Sequence, residues 1–335
     1  MSVKELLAKH QAKYPVCQNQ DLAKFVYQYV FGGEHMIENK DIVLEKIVDE
    51  CANLTNRDYW IEDIGNQYVR FHLFQANHLQ CQTIAQLFIT SCTFNKKNNE
   101  QFYQIMEQLK IDVPKGELKP FRHSQLYRDT YHPHYRIINK QLAFYYPLFL
   151  KINELLETKE TLIIAIDGMA GSGKSTLAAL LQEFYQANVF HLDDFFLQSH
   201  QRTQERFSIP GKNVDYERFL EQVLLPCTSH QQIGYQKFLC HQMELDKEVS
   251  IFQPSRVSIV EGSYSMIPEL SANYDLKIAL KVDSKTQLER ISKRNTKQQT
   301  KLFEEKWIPY ENKYFSYYDI FHQVDYLFDT TKLYK

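Results

Sequence analysis

Apolar residues in the first half of the chain recur at helical spacing. Leu22, Phe25, Val26, Tyr29 and Val30 fall at i, i+3, i+4, i+7 and i+8, one stripe of an amphipathic helix. Leu44, Ile47, Val48 and Cys51 repeat the pattern behind Asp41, a residue suited to capping. Further stripes run through Cys81, Ile84, Ala85 and Phe88, and through Phe102, Ile105, Met106 and Leu109 behind Asn98 and Asn99. A last one takes Tyr145, Leu148, Phe149, Ile152 and Leu156, with Pro147 tolerated in its first turn. No alternating pattern competes, so residues 1–157 are expected to form an all-α domain.

The pattern changes near Glu157-Thr158-Lys159-Glu160. Thr161 to Asp167 is a short apolar run rich in β-branched residues that leads directly into glycines. A helix stripe follows (Leu177, Leu180, Leu181, Phe184), then a strand from Asn188 to Leu192, then a helix through Tyr216, Phe219, Leu220 and Val223. Val257–Val260, Leu276–Val282 and Val324–Phe328 read as further strands. Strands alternating with helices require crossover connections, which predicts an α/β domain with a mostly parallel sheet over residues 158–335. A length of 335 residues suits two such domains.

Charge narrows the classes of function. Thirty-nine basic residues face forty-one acidic ones, a net −2, without the basic excess that nucleic acid or an anionic membrane would call for. No apolar run approaches the ~20 residues that span a bilayer, and the first residues lack a signal-peptide pattern. Six cysteines without a CxxC pair read as buried, reduced thiols. A soluble, cytoplasmic protein acting on a small molecule is expected.

Gly168-Met169-Ala170-Gly171-Ser172-Gly173-Lys174-Ser175 fits G-x-x-x-x-G-K-[ST] at every fixed position, between a predicted strand and a predicted helix. Glycines let the backbone curl so that successive N–H groups point inward at phosphate oxygens, and the helix beginning near Lys174 adds its positive end. The spacing assigns the stretch Gly168 to Thr176 to ATP. Lys174 would meet the β- and γ-phosphates, and the Ser175 hydroxyl would ligate Mg²⁺. After the next strand come Asp193 and Asp194, placed where a carboxylate can accept a hydroxyl proton or support Mg²⁺. Glu261 closes the strand Val257–Val260 and could hold Mg²⁺ or a substrate hydroxyl.

At these residues the chain resembles the uridine kinase/phosphoribulokinase family of P-loop kinases, which includes bacterial pantothenate kinase. The resemblance covers roughly Thr161 to Leu327. It rests on GMAGSGKST, on DDFF at 193–196, on VEG ending at Gly262, and on YDLKIALKVDSKTQLERISKRN. It implies ATP-dependent phosphoryl transfer to a hydroxyl of a small metabolite such as a nucleoside, sugar or pantothenate-like acid. Asp193, aligned with the Asp that opens the family's box, would be the catalytic base. Arg290, Lys293 and Arg294 would form the basic lid, sharing one helix face. The family's substrate segment corresponds to Tyr235–Gln242, which keeps Tyr235 and His241 but has no arginine. Arg202, Arg206 and Asp215 are then candidate substrate contacts, the two arginines suiting an anionic acceptor.

Seven of the twelve histidines lie in the helical half, among them His132 and His134 in Tyr131-His132-Pro133-His134-Tyr135-Arg136. They lack the register of a helical metal motif, so a second ligand pocket, a docking surface and ordinary core and surface residues all stay open. A P-loop ATPase that switches the helical domain's hold on a partner is the competing reading. The paired carboxylates favour a kinase, because a switch needs a group that positions water and not a hydroxyl-accepting base.

Overall fold

A computed structural model describes residues 2–37, 39–94, 98–113 and 118–334. It divides into two compact units, Met1–Glu154 and Leu155–Lys335. The first is mainly helical: α1 (Val3–Lys13), α2 (Asn19–Phe31), α3 (Val43–Ala52), α4 (His78–Thr93), α5 (Asn99–Gln108), α6 (Gln125–Tyr131), α7 (Lys140–Phe144) and α8 (Tyr146–Thr158), the last running across the division. The predicted stripes supply its core. Leu22, Phe25, Val26 and Val30 of α2 pack with Phe102, Ile105 and Met106 of α5 and with Leu6 and Leu7 of α1. Asn98 caps α5 through its side chain, as its position suggested. Asp41 does not cap α3; it lies in a short turn whose own cap is Asn39, which accepts from the Asp41 amide at 3.0 Å.

This helical unit also holds a three-stranded antiparallel sheet that periodicity did not disclose: β1 (Trp60–Gly65), β2 (Tyr68–His72) and β3 (Tyr135–Asn139), with β2 in the middle. Two features hide it. Tyr68, Val69, Arg70 and Phe71 are all buried, so the central strand shows no in-out alternation. The β1–β2 turn puts Asn66 and Gln67 at φ of +49° and +67°, the conformation of a two-residue hairpin turn, without the glycine that usually marks it.

The second unit carries β4 (Leu162–Gly168), β5 (Asn188–His191), β6 (Ile233–Leu239), β7 (Glu244–Phe252), β8 (Val257–Glu261), β9 (Leu276–Lys281) and β10 (Tyr326–Asp329). Five of them form a parallel sheet in the order β10-β9-β4-β8-β5, and β6 and β7 pair as a separate hairpin. With β4 central, the carboxyl ends of β4, β5 and β8 meet at the switch point where α/β sheets bind ligands. The helix after β4, α9 (Lys174–Tyr185), buries Leu177 and Leu181. Phe190, Phe195, Phe219, Val260, Ile267 and Tyr314 anchor the core of this unit. Among the described residues no helix is long and apolar enough to cross a membrane. All six cysteines are free; Cys51, Cys81 and Cys227 are buried, but Cys240 is exposed, against the expectation, because it sits in the β6–β7 turn.

One residue of the helical unit carries its largest electrostatic commitment. Arg70 is fully buried on β2 and donates to the Gln28 side-chain oxygen at 2.8 and 3.1 Å and to Glu62 at 3.3 Å. Burial alone would raise the Glu62 carboxyl, but His10 at 3.5 Å, His72 at 3.7 Å and the Arg70 charge hold it far below its ordinary value. Removing one partner of such a pair strands the other charge away from water. Arg70→Met, close in volume, is expected to destabilise the protein by about 3–5 kcal/mol. Urea unfolding of the full chain checks this, and an unchanged midpoint would show that the pair contributes no stability.

Candidate active site

The glycine-rich loop starts where β4 leaves the centre of the sheet. Every residue of β4 is buried, and Gly168 ends it at a φ of +142°. A Cβ there would lie 2.2 Å from the Leu280 carbonyl oxygen, so β9 tolerates only glycine beside it. Gly173, at a φ of +100°, is the residue from which α9 begins. Lys174 turns its ammonium back over the loop, donating to the carbonyls of Gly168 (2.7 Å) and Met169 (3.3 Å) and to the Ser263 hydroxyl (3.2 Å). A bound polyphosphate would compete for that ammonium.

Side chains from late in the sequence hold the loop's shape. Gln287 donates to the Ala170 carbonyl at 3.0 Å, Thr330 to that of Ser172 at 2.7 Å, and Glu311 accepts from the Ala170 amide at 2.8 Å. Arg290 belongs to this set. Its guanidinium donates to the carbonyls of Gly171 (3.1 Å) and Thr330 (2.7 Å), which corrects its placement in a lid. Of the basic face on the helix Ser284–Arg294, Arg294 lines the cavity beside the loop.

That cavity, of about 420 Å³, brings Lys174, Ser175 and Thr176 together with Asp193, Glu261 and Glu311. Ser175 donates to Glu261 at 3.2 Å, and His191 Nδ1 lies 2.7 Å from the same carboxylate oxygen. Burial alone would raise the Glu261 carboxyl; the His191 hydrogen bond, the Lys174 charge and the Ser175 hydroxyl together pull it below its ordinary range. The Glu261 hydrogen bond in turn raises His191. Asp193 opens onto the cavity, yet its concave surroundings displace bulk water and raise its pKa, with Glu261 and Glu311 adding to the rise and Lys174 opposing it. A carboxylate raised in this way is a better proton acceptor than an exposed one. Beneath the loop, burial lifts the fully buried Asp167 to about 6 despite three donors, Gly168 N, Met266 N and the Tyr314 hydroxyl. Ser175 and Glu261 form an oxygen pair of the kind Mg²⁺ takes, together with phosphate and water.

The other substrate candidates lie elsewhere. Asp194 accepts from the Tyr235 hydroxyl at 3.1 Å and pairs with Lys237 at 3.4 Å. Arg206 is held by Glu217 at 2.6 and 2.7 Å and by the carbonyls of Lys212 and Val214. Asp215 caps the short helix Tyr216–Phe219, and Arg202 reaches the Leu197 carbonyl at 3.5 Å. His241 is exposed and meets Gln242. The cavity also takes Phe196 of the DDFF box, and it gains Asn213, Ser263, Tyr264, Trp307 and Glu311, for which spacing gave no signal. In the helical unit, Tyr131, His132, Pro133 and His134 line a separate cavity of about 290 Å³ with Trp60 and His72. Among the described residues no group of three His, Cys, Asp or Glu could hold a metal ion.

No family model matches the chain, and no curated protein matches it. Several solved structures are similar to part of the chain. A protein described as a possible uridine kinase from Bacillus stearothermophilus is 21% identical, with a TM-score of 0.40 over 55% of this chain and 100% of that one. D-glycerate 3-kinase from Cryptococcus neoformans is 15% identical, with a TM-score of 0.36 over 52% of this chain and 89% of that one. Shikimate kinase from Bacteroides thetaiotaomicron is 16% identical, with a TM-score of 0.28 over 52% and 89%.

The His191–Glu261 pair makes a titration prediction. A raised histidine pKa stabilises the fold below its unfolded value near 6.5, and that contribution is lost as pH rises through the folded pKa. His191 is therefore expected to titrate above 6.5 by imidazole NMR. In Glu261→Gln the main cause of the rise is gone, burial and Lys237 are opposed by Asp194 alone, and the midpoint should fall. An unmoved midpoint would remove Glu261 as that cause.

Proposed function

We propose that the chain is an ATP-dependent kinase that transfers a phosphoryl group to a hydroxyl of a small metabolite. The observation that carries this reading is the presence of Asp193, with its raised carboxyl, in the same cavity as Lys174 and Ser175. Loop amides and Lys174 would hold the polyphosphate, and Ser175 and Glu261 would hold Mg²⁺, which would screen its charge. The acceptor oxygen forms a bond to the γ-phosphorus as the bond to the ADP oxygen breaks, and the hydroxyl proton passes to Asp193. Arg294 on the cavity wall supports charge stabilisation on the transferring group. The reading calls for a small-molecule partner and for neither nucleic acid nor a membrane.

Two substitutions test it. Lys174→Ala should abolish acceptor-stimulated ADP formation with circular dichroism unchanged, and full activity in that variant would remove the loop from the reaction. Asp193→Asn should lower kcat by about 10²–10⁴-fold while ATP binding, followed by calorimetry, is kept. Asp194→Asn acts through Tyr235 and Lys237 and should cost far less. A reversed order of the two would exchange their roles.

A further inference from the structure

The cavity residues left over after the phosphates are accommodated share one chemical character. Glu311 is 6% exposed, and its carboxylate already accepts from the Ala170 amide and, at 2.7 Å, from the Ser263 hydroxyl. A carboxylate has room for about four donors, and those given to this one are the Ala170 amide and the Ser263 hydroxyl. Asn213, also 6% exposed, lines the same cavity with its side-chain oxygen buried and without a hydrogen-bond partner. Buried acceptors of this kind are ordinarily satisfied, so both are open to a donor brought by a ligand. Among the described residues that line the cavity the cations are Lys174 and Arg294, which serve phosphate on the reading above. Arg206, which would have suited a carboxylate acceptor, is tied to Glu217.

Resting on the phosphoryl-transfer reading, we propose that the acceptor carries hydroxyl or amino donors and no anionic group. Its donors meet Glu311 and Asn213, and its reacting hydroxyl meets Asp193. Acidic metabolites are turned away because their carboxylate would face Glu311 and Asp193 with no cation to balance it. Discrimination of this kind comes from repulsion as much as attraction. The rings of Tyr264 and Trp307 give the donor-bearing molecule an apolar wall on which to pack.

The test compares matched compounds on several scaffolds: a hexose, a pentitol, a nucleoside and a glyceryl compound, each as its neutral, amino and carboxylated form. Binding to the full chain is measured by calorimetry with a non-hydrolysable ATP analogue and Mg²⁺, and ADP formation is measured separately with ATP. The best binder is expected to be a neutral or amino compound, with its carboxylated counterpart roughly tenfold or more weaker, the worth of a hydrogen bond to a charged group. Asn213→Ala should raise the KM of that acceptor and leave the KM of ATP in place. Should that variant fail to fold, Glu311→Gln should raise the same KM and narrow the gap to the acid, whatever it does to ATP through the Ala170 amide. An acid that binds better than its neutral and amino counterparts, or a panel in which no neutral or amino compound binds, overturns the proposal and leaves phosphoryl transfer standing. The expected binding preference without ADP formation has the opposite meaning: it keeps the donor-recognising pocket and removes the kinase reading.

Discussion

The closeness of β4 to β9 at Gly168 governs the geometry of the C-terminal unit. With 2.2 Å between the place of a Cβ and the Leu280 carbonyl, the chain passes that point only as glycine and only with a positive φ. Both requirements aim the next residues up and out of the sheet, into the curl that ends at Gly173 and α9. The curl in turn fixes where Lys174 and Ser175 stand relative to the ends of β5 and β8. Asp193 and Glu261 come from those ends, so their meeting in one cavity follows from the order of strands in the sheet.

The parts legible in the sequence are those whose chemistry is local. The loop from Gly168 to Ser175 announces itself because its glycines, lysine and serine act within eight consecutive residues. Asp193 and Glu261 could be placed because each directly follows a recognisable strand. Residues whose work depends on distant partners left no trace. Glu311 is one carboxylate in the helix Ile308–Tyr317, and only the folded chain shows it against the Ala170 amide. Arg290 shares a helix face with Arg294, but Thr330 and the loop's own carbonyls claim its guanidinium. Helical spacing predicts which residues share a face and is silent on what covers that face.

The helical unit was harder to read for a related reason. Its central strand is buried on both sides and contains Arg70, so neither alternation nor an apolar run marks it. The polar residues that would have argued for a surface are the ones that bind the interior together: Arg70 with Gln28 and Glu62, and Asp21 with the Ser124 amide and hydroxyl. A charged side chain in a sheet is informative only once its partner, here 42 residues away on α2, is known.

The clamp around the glycine-rich loop bears on how the protein is made. Gln287, Arg290, Glu311 and Thr330 reach back 117, 119, 141 and 158 residues to hold three loop residues, Ala170, Gly171 and Ser172. During synthesis the glycine-rich curl leaves the ribosome long before any of them exists. Contacts so far apart in sequence close slowly, and chain-closure entropy is spent before they return anything. Completion of this cavity is then a late event in biogenesis, reached when the last strand docks, and a nascent chain halted before Thr330 would carry a complete motif with an unformed site.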